Sequence, residues 1–416
     1  MFDNLKNKTN NLFKSKELNR VFNKCFFNTV DTTLSKDNNE YFIITGDIPA
    51  MWLRDSSMQV MHYLYFADDN EVKSLIKGVL KTQLKQICID SYANAFMKSE
   101  NEISEWDGKI QTDYLPKIVW ERKYELDSLC YPLFLITKYY EVTQDTSVFD
   151  GLFLKAFDKI VETVEKERHH SSLSTYYFLR GKEDIGRSTN PEEEKGLVWS
   201  GFRPSDDACK YHYHIPDNMF LVSVLYKLET IFKKLNDDTR YSKCTKIISE
   251  LRVLIEKYGV QDIKEVGRVY VSETNCIGDY HLDDDANIPS LLSLPFLEYP
   301  FLDEEIYQRT RNYILSSRNK YYYEGKWLRG IGSPHTPSGR VWPLSLSMQG
   351  ITSSDKDEII SCLKQLLLST AGTDLMHESV DVNNVNIYSR PWFSWANSQF
   401  CLFVLKHKDI INQFLK

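Results

Sequence analysis

Apolar residues return with the 3.6-residue period of a helix in six long segments, and this recurrence limits the fold more than any other feature of the chain. One stripe runs through Val72, Leu75, Ile76, Val79, Leu80, Leu84 and Ile87. Two more pass through Leu152, Phe153, Ala156, Phe157, Ile160, Val161 and Val164, and through Leu221, Leu225, Leu228, Phe232 and Leu235. The others lie at Ile247, Ile248, Leu251 and Leu254, at Ile359, Ile360, Leu363 and Leu367, and at Ala396, Phe400, Phe403 and Val404. Each stripe needs a neighbouring face to cover it. Six connectors rich in Gly, Pro, aromatics and acids separate them, near 41–59, 101–123, 172–218, 264–290, 318–350 and 371–398. Loops of that length usually have a task, and these are too aromatic for disorder. The pattern predicts an all-α protein, a closed toroid of helical hairpins with its loops gathered at one mouth. An open solenoid would repeat its sequence at a fixed period, and no such repeat is present. Short β-prone pieces such as RVYVSE and KYYYEGKW predict small hairpins inside the loops. No Gly, Ser or Pro linker divides residues 1–416, so they read as a single domain.

Composition removes several function classes. With 416 residues, 42% of them hydrophobic, the chain can bury a large core. A net charge of −7 offers no basic field, so nucleic acid is not an expected partner. No apolar run approaches the roughly 20 residues of a membrane span. The opening segment MFDNLKNKTNNLFKSKELNR lacks the apolar stretch of ~7–15 residues that a signal peptide requires. The eight cysteines are scattered and never form CxxC, which favours reduced thiols over a zinc site or a disulfide framework. A cytoplasmic protein is the expectation. With no Walker or Rossmann glycine pattern, no nucleotide cofactor is expected. Aromatics reach 13%, with 8 Trp and 25 Tyr, which suits a stacking surface, although large cores absorb such residues too.

The connectors hold groups that a helical core does not want. In DIPAMWLRDS, Asp47, Trp52, Arg54 and Asp55 crowd together. A guanidinium and a carboxylate can grip vicinal hydroxyls of a sugar while an indole covers its apolar face; the same pair could equally fix the loop as a buried ion pair. In VWSGFRPSDDAC, adjacent Asp206 and Asp207 in an aromatic setting cannot both ionise freely, so one is expected to have a raised pKa and serve as an acid; helix capping is the plainer alternative. In LDDDANIPSLL the spacing of Asp283 to Asp285 does not fit an EF-hand, so Asp285 and Asn287 are taken as hydroxyl binders and no metal is expected. Gly and Pro hold His335 and Trp342 on the fifth loop. The sixth places His377 and Glu378 before Trp392 and Trp395, and HExxH is absent.

Two carboxylates in separate Trp-rich loops are what glycoside hydrolysis needs: one protonates the leaving oxygen and the other handles water or the anomeric carbon. The stretches TGDIPAMWLRDSSMQV, VWSGFRPSDDAC, LDDDANIPSLLSLPFL, GIGSPHTPSGRVWPLSLSMQG, and LMHES followed by WFSWANS resemble, in order, glycoside hydrolase family 125. The resemblance spans nearly the whole chain. It implies an (α/α)6 barrel and an exo-acting, metal-independent α-1,6-mannosidase that inverts the anomeric configuration and needs no cofactor. Its general acid falls on the SDD, with Asp206 favoured over Asp207, and its base on Glu378. Arg54, Asp55, Asp285 and Asn287 would then hold mannose hydroxyls, with Trp52, His335, Trp342 and Trp395 as walls. The implied partners are α-1,6-linked mannosides or trimmed N-glycan fragments. The KYHYH tract at 210–214 and TNCIGDYHL depart from the family pattern and touch the outer subsites. Two other readings remain open: an inverting glycoside phosphorylase, which would need an Arg or Lys cluster near the base, and a sugar-binding protein with inert carboxylates. Nothing in the sequence selects an oligomeric state.

Overall fold

The computed structural model describes residues 2–37, 40–102, 112, 115–180, 183–186 and 194–415. Much of the expected second connector and part of the third lie outside these residues. Among the described residues the chain forms α1 (Asp3–Thr9), α2 (Lys16–Asn28), α3 (Leu53–Met61), α4 (Asn70–Ile89), α5 (Leu126–Thr143), α6 (Gly151–Glu167) and α7 (His170–Leu173). It continues with α8 (Ile215–Lys234), α9 (Asp238–Tyr258), α10 (Glu304–Ile314), α11 (Pro343–Ile351), α12 (Lys356–Ser369), α13 (Ser394–Lys406) and α14 (Lys408–Phe414). The fold is mainly helical, with small two- and three-stranded antiparallel sheets in the connections. Both expected hairpins form, at 260–270 and 322–331.

The longer helices fall into two sets with different starts. Helices α2, α4, α6, α9, α10 and α12 begin at Ser15, Asp69, Asp150, Asp237, Asp303 and Asp355, whose side chains accept hydrogen bonds from first-turn amides. Those residue types satisfy amides that an isolated helix start leaves open. These helices bury one stripe only; α9 buries five of its 21 residues. Helices α3, α5, α8, α11 and α13 instead start at Trp52, Glu125, His214, Trp342 and Phe393, with no side-chain cap. They are buried nearly all round, and α3 buries every residue. Within this second set α13 packs on α3, α3 on α5, α5 on α8, and α11 on α13. Helices of the first set cover it, with α9 on α8, α12 on α11, α4 on α3 and α5, and α2 on α13.

Between α8 and α11 the chain runs through turns at 290–298, in place of a helix, although Leu291, Leu292, Leu294 and Leu297 are all buried. Pro295 has no amide to donate, and Phe296 meets Phe134 of α5 edge-on at 5.8 Å. Three of the small sheets pin the uncapped helix starts. Trp52 pairs with Ala95, Tyr213 and His214 pair with Thr274 and Glu273, and Ser379 pairs with Ser389. The strand before each helix thus fixes which side chains stand at its first turn.

Candidate active site

The uncapped starts of α3, α11 and α13 surround a small cavity of about 50 Å³. Trp52, Arg54, Asp55, Asp206, Asn287, His335, Trp342, Glu378 and Trp395 line it, from five separate segments of the chain. All nine belong to the residues expected from the sequence. Three others do not reach its wall. Asp47 stands at the rim with its side chain 57% exposed, and its carboxylate is 3.6 Å from Arg390 Nε. Asp207 accepts from Ser205 Oγ at 2.9 Å and lies 3.7 Å from His335 Nδ1. Asp285 turns back on its own loop, accepting from the Asn287 amide N–H at 2.8 Å, and faces Arg203 at 3.7 Å.

Arg54 is the hub of the floor. Its Nη1 donates to Glu125 Oε2 at 2.8 Å and to Asp127 Oδ2 at 3.2 Å, while Nη2 donates to Asp206 Oδ1 at 2.9 Å. Its Nε lies 3.6 Å from Asp55 Oδ2. Both Nη1 hydrogens and one Nη2 hydrogen go to carboxylates, so the guanidinium gathers acids beneath the cavity while also lining it. Three of the acids it gathers, Asp55, Glu125 and Asp127, sit at the starts of α3 and α5, where the positive helix end favours them. Burial nevertheless lifts Asp55 to about 6 and Asp127 to about 7, against the pull of Arg54.

Asp206 occupies a tight turn in which the Asp206 amide donates to the Arg203 carbonyl at 2.9 Å and the Arg203 amide donates to the Asp207 carbonyl at 2.8 Å. Its φ is +63°, the left-handed region. Neither Asp206 nor Asp207 caps α8, which settles the capping alternative. The expectation that one of the two has a raised pKa is overturned. Burial would raise Asp206, but Arg54, Lys123 and a hydrogen bond from Glu125 outweigh it and hold the carboxyl below its usual range. Burial also works against Asp207, and His335, Ser205 and Arg203 hold it low. Their neighbour Glu125 is instead lifted well above its usual range, by burial first and by Asp206 and Asp127 after that.

Across the cavity, Glu378 accepts from Ser389 Oγ at 2.7 Å and lies 3.4 Å from Arg390 Nε. Arg390 itself lines the cavity, 5.2 Å from the Phe393 ring centre, with a φ of +55°. His377 is architectural: its ring stacks on Tyr388 at 3.6 Å and its nitrogens face the Arg390 and Thr370 carbonyls. Trp342 Nε1 donates to Thr336 Oγ1 at 2.8 Å. The indole N–H groups of Trp52 and Trp395 are buried and meet no acceptor among the described residues. A buried indole N–H normally has a partner, and both of these belong to tryptophans that line the cavity.

Sequence reasoning missed Arg390, Glu125, Asp127, Thr45, Ile48 and Phe393. Glu125 and Asp127 stand just before an unbroken apolar run, a setting in which helix-start acids are ordinary. Arg390 precedes Pro391, a position pushed out of the helical region, but nothing in its spacing points to Glu378.

The profile of the metal-independent α-mannosidases matches residues 15–405. A meiotically up-regulated gene 157 protein of Schizosaccharomyces pombe is 38% identical over 94% of this chain and 82% of its own. A solved structure from Streptococcus pneumoniae superposes with a TM-score of 0.92 at 39% identity, covering 98% of this chain and 97% of that one. It is described as a metal-independent α-mannosidase in a non-productive complex with α-1,6-mannobiose. A rhamnosidase from Klebsiella oxytoca, at 11% identity and a TM-score of 0.54 over 95% of this chain and 64% of that one, shares the fold alone. The chain is a glycoside hydrolase, and it belongs to family 125, the metal-independent α-mannosidases.

Proposed function

We propose that this α-mannosidase removes single mannose residues from the non-reducing ends of α-1,6-linked mannosides with inversion, using Asp206 as general acid and Glu378 as general base. The observation that carries the reading is one cavity walled by both carboxylates, with each held by different partners. Asp206 sits on Arg54, while Glu378 sits on Ser389 and Arg390. Asp206 reaches the cavity and Asp207 does not, which favours the first as the acid. The cavity is small, about 50 Å³, which supports exo action on one terminal sugar. The α-1,6 linkage is supported by the disaccharide named for the pneumococcal structure.

In this mechanism Asp206 gives its proton to the glycosidic oxygen as the bond to the anomeric carbon lengthens. Glu378 takes a proton from a water that attacks the opposite face, for which inverting enzymes keep about 6.5–9.5 Å between their carboxyls. Asp55 and Asn287 hold mannose hydroxyls, the free indole N–H groups of Trp52 and Trp395 donate to the ring substituents, and Trp342 and His335 close the wall. Asp47 and Asp285 then serve at one remove, Asp47 through Arg390 and Asp285 by shaping the Asn287 turn. The fold reads as one (α/α)6 barrel over residues 1–416, with the buried helix set and the 290–298 turns inside and the capped set outside. Eight scattered cysteines, seven of them buried, suit a reducing compartment and support a cytoplasmic enzyme acting on trimmed N-glycan fragments.

Proton NMR of the anomeric signals from the first minutes of reaction with α-1,6-mannobiose tests this reading, with the α-1,2 and α-1,3 isomers as controls. β-Mannose appearing first, and only from the 1,6 isomer, is the expected result. α-Mannose first removes Glu378 from the base role. No release without phosphate but turnover with it makes the chain a phosphorylase, and no release in either makes it a binding protein.

A further inference from the structure

Glu125 is a carboxyl that the hydrolysis above leaves unused. Its side chain is wholly buried at the start of α5, where Arg54 Nη1 donates to Oε2 at 2.8 Å and Ser128 Oγ to the same atom at 3.0 Å. Asn94 Nδ2 reaches Oε1 at 3.4 Å, and the two terminal nitrogens of the Arg54 guanidinium hold Glu125 and Asp206 side by side. Four carboxylates, those of Asp55, Glu125, Asp127 and Asp206, lie within 3.6 Å of the one guanidinium. The nearby Lys123 ammonium is engaged by Glu121 at 3.1 Å. So many buried negative charges cannot stand against one arginine, and the cluster must hold protons. The geometry says where. Asp206 has Nη2 to itself and is 23% exposed, whereas Glu125 shares Nη1 with Asp127 and is sealed from water.

We propose that Glu125 is a positioning residue for the acid step, storing on its carboxyl the proton that Asp206 passes to the glycosidic oxygen. The inference rests on the reading of Asp206 as the acid. As the C–O bond breaks, its electron pair goes to the leaving oxygen, which takes a proton from Asp206, and Asp206 takes one from Glu125. Glu125 ends as a carboxylate facing Arg54 Nη1 and Ser128 Oγ, donors already in place for that charge. Water has meanwhile lost a proton to Glu378, which releases it to solvent. After the products leave, the Asp206 and Glu125 pair takes a proton back from solvent, so none is consumed. The burial that lifts Glu125 well above its usual range and the depression of Asp206 agree with this division.

The test is Glu125→Gln in the full chain, read as pH profiles of kcat/KM on α-1,6-mannobiose and on an aryl α-mannoside whose leaving group needs no protonation. On the disaccharide we expect a loss of roughly tenfold or more, carried by kcat, with the alkaline limb moved to lower pH and a much smaller loss on the aryl substrate. Equal losses on both substrates with an unmoved limb would be a merely structural effect and overturn the proposal. Ser128→Ala, which removes a donor to the charged form of Glu125, keeps the question open should the first variant not fold. It should move the alkaline limb to higher pH; a limb that stays or falls overturns the proposal. Asp206→Asn separates the two levels: if it loses equally on both substrates, the acid reading fails, whatever Glu125 does.

Discussion

Asp206 and Arg390 both hold the left-handed backbone, at φ +63° and +55°; the first is the proposed acid itself and the second stands beside the proposed base Glu378. A non-glycine residue keeps that conformation at a cost of about 1–3 kcal/mol, so two such residues in one cavity mark a site that packing has forced into shape. Asn tolerates the left-handed region better than most residues. Asp206→Asn should therefore fold normally while losing roughly 10²–10⁴-fold in turnover of α-1,6-mannobiose, the usual worth of a general acid. Asp207→Asn should lose far less, because its carboxylate does not face the cavity. The second variant has its own signature. The Asp207 carboxylate, 3.7 Å from His335 Nδ1, is the largest influence raising His335, so its removal should make His335 titrate at lower pH in an NMR titration of its ring protons. An unmoved His335 would show that the pair does not form. At this scale the sequence was legible where polarity clashed with its surroundings. DIPAMWLRDS announced itself because Arg54 and Asp55 stand at the start of α3, whose residues are all buried. Glu125 and Arg390 gave no such contrast, and only the folded chain brings them to Asp206 and Glu378.

The capped and uncapped helices differ in how much of themselves a sequence reveals. Helices such as α4, α6 and α12 bury one stripe and expose the rest, so their periodicity and their Asp caps can be read directly. Helices α3 and α11 are buried on every side, which erases the period; both fell inside stretches expected to be connectors. The buried turns at 290–298 hide the same way, since apolar residues alone do not distinguish a helix from a packed turn. Close approach within the buried set gives a prediction. A methyl group added at Gly350, near the end of α11, would meet the Phe403 ring of α13, with Cε2 only 2.3 Å away. Phe403 is fully buried and cannot swing aside without disturbing its neighbours. Gly350→Ala should cost about 1–3 kcal/mol, seen as a lower midpoint in urea with an unchanged slope. A midpoint equal to that of the parent would show that α11 and α13 are farther apart than described. Because α11 begins at Trp342 and α13 carries Trp395, the same substitution should also weaken turnover in the protein that remains folded.

Over the whole molecule, the price of gathering acids on a buried floor is a stability that depends on pH in an unusual direction. Burial raises Asp55 to about 6, Asp127 to about 7 and Asp284 to about 8. An unfolded Asp titrates near ~3.9, so between that value and the raised one the folded chain holds the extra proton. Stability then falls as pH rises through that window, since the slope follows the protons bound by the unfolded state minus those bound by the native state. Buried histidines act oppositely. His62, lowered by burial to about 3, and His212 and His214, lowered by burial to about 4, are neutral when folded but charged when unfolded below about 6.5, so they add stability as pH rises to that point. The two groups offset each other at mildly acidic pH, and above about 6.5 the raised carboxyls, among them Asp127, Asp284, Glu125 and Asp217, still titrate on folding. The thermal midpoint should therefore be nearly level at mildly acidic pH and fall by several degrees from near neutrality to mildly alkaline pH. Asp284 isolates the cause, because it sits away from Arg54, its carboxylate accepting the Leu291 and Leu292 amides at 2.8 and 3.1 Å. Asp284→Asn cannot ionise, and its midpoint should decline less across the alkaline range than that of the parent. Scanning calorimetry of both proteins over that range decides the matter: a parent midpoint that climbs with pH would mean that these acids are ionised in the folded chain, and the proton held near Asp206 would lose its setting.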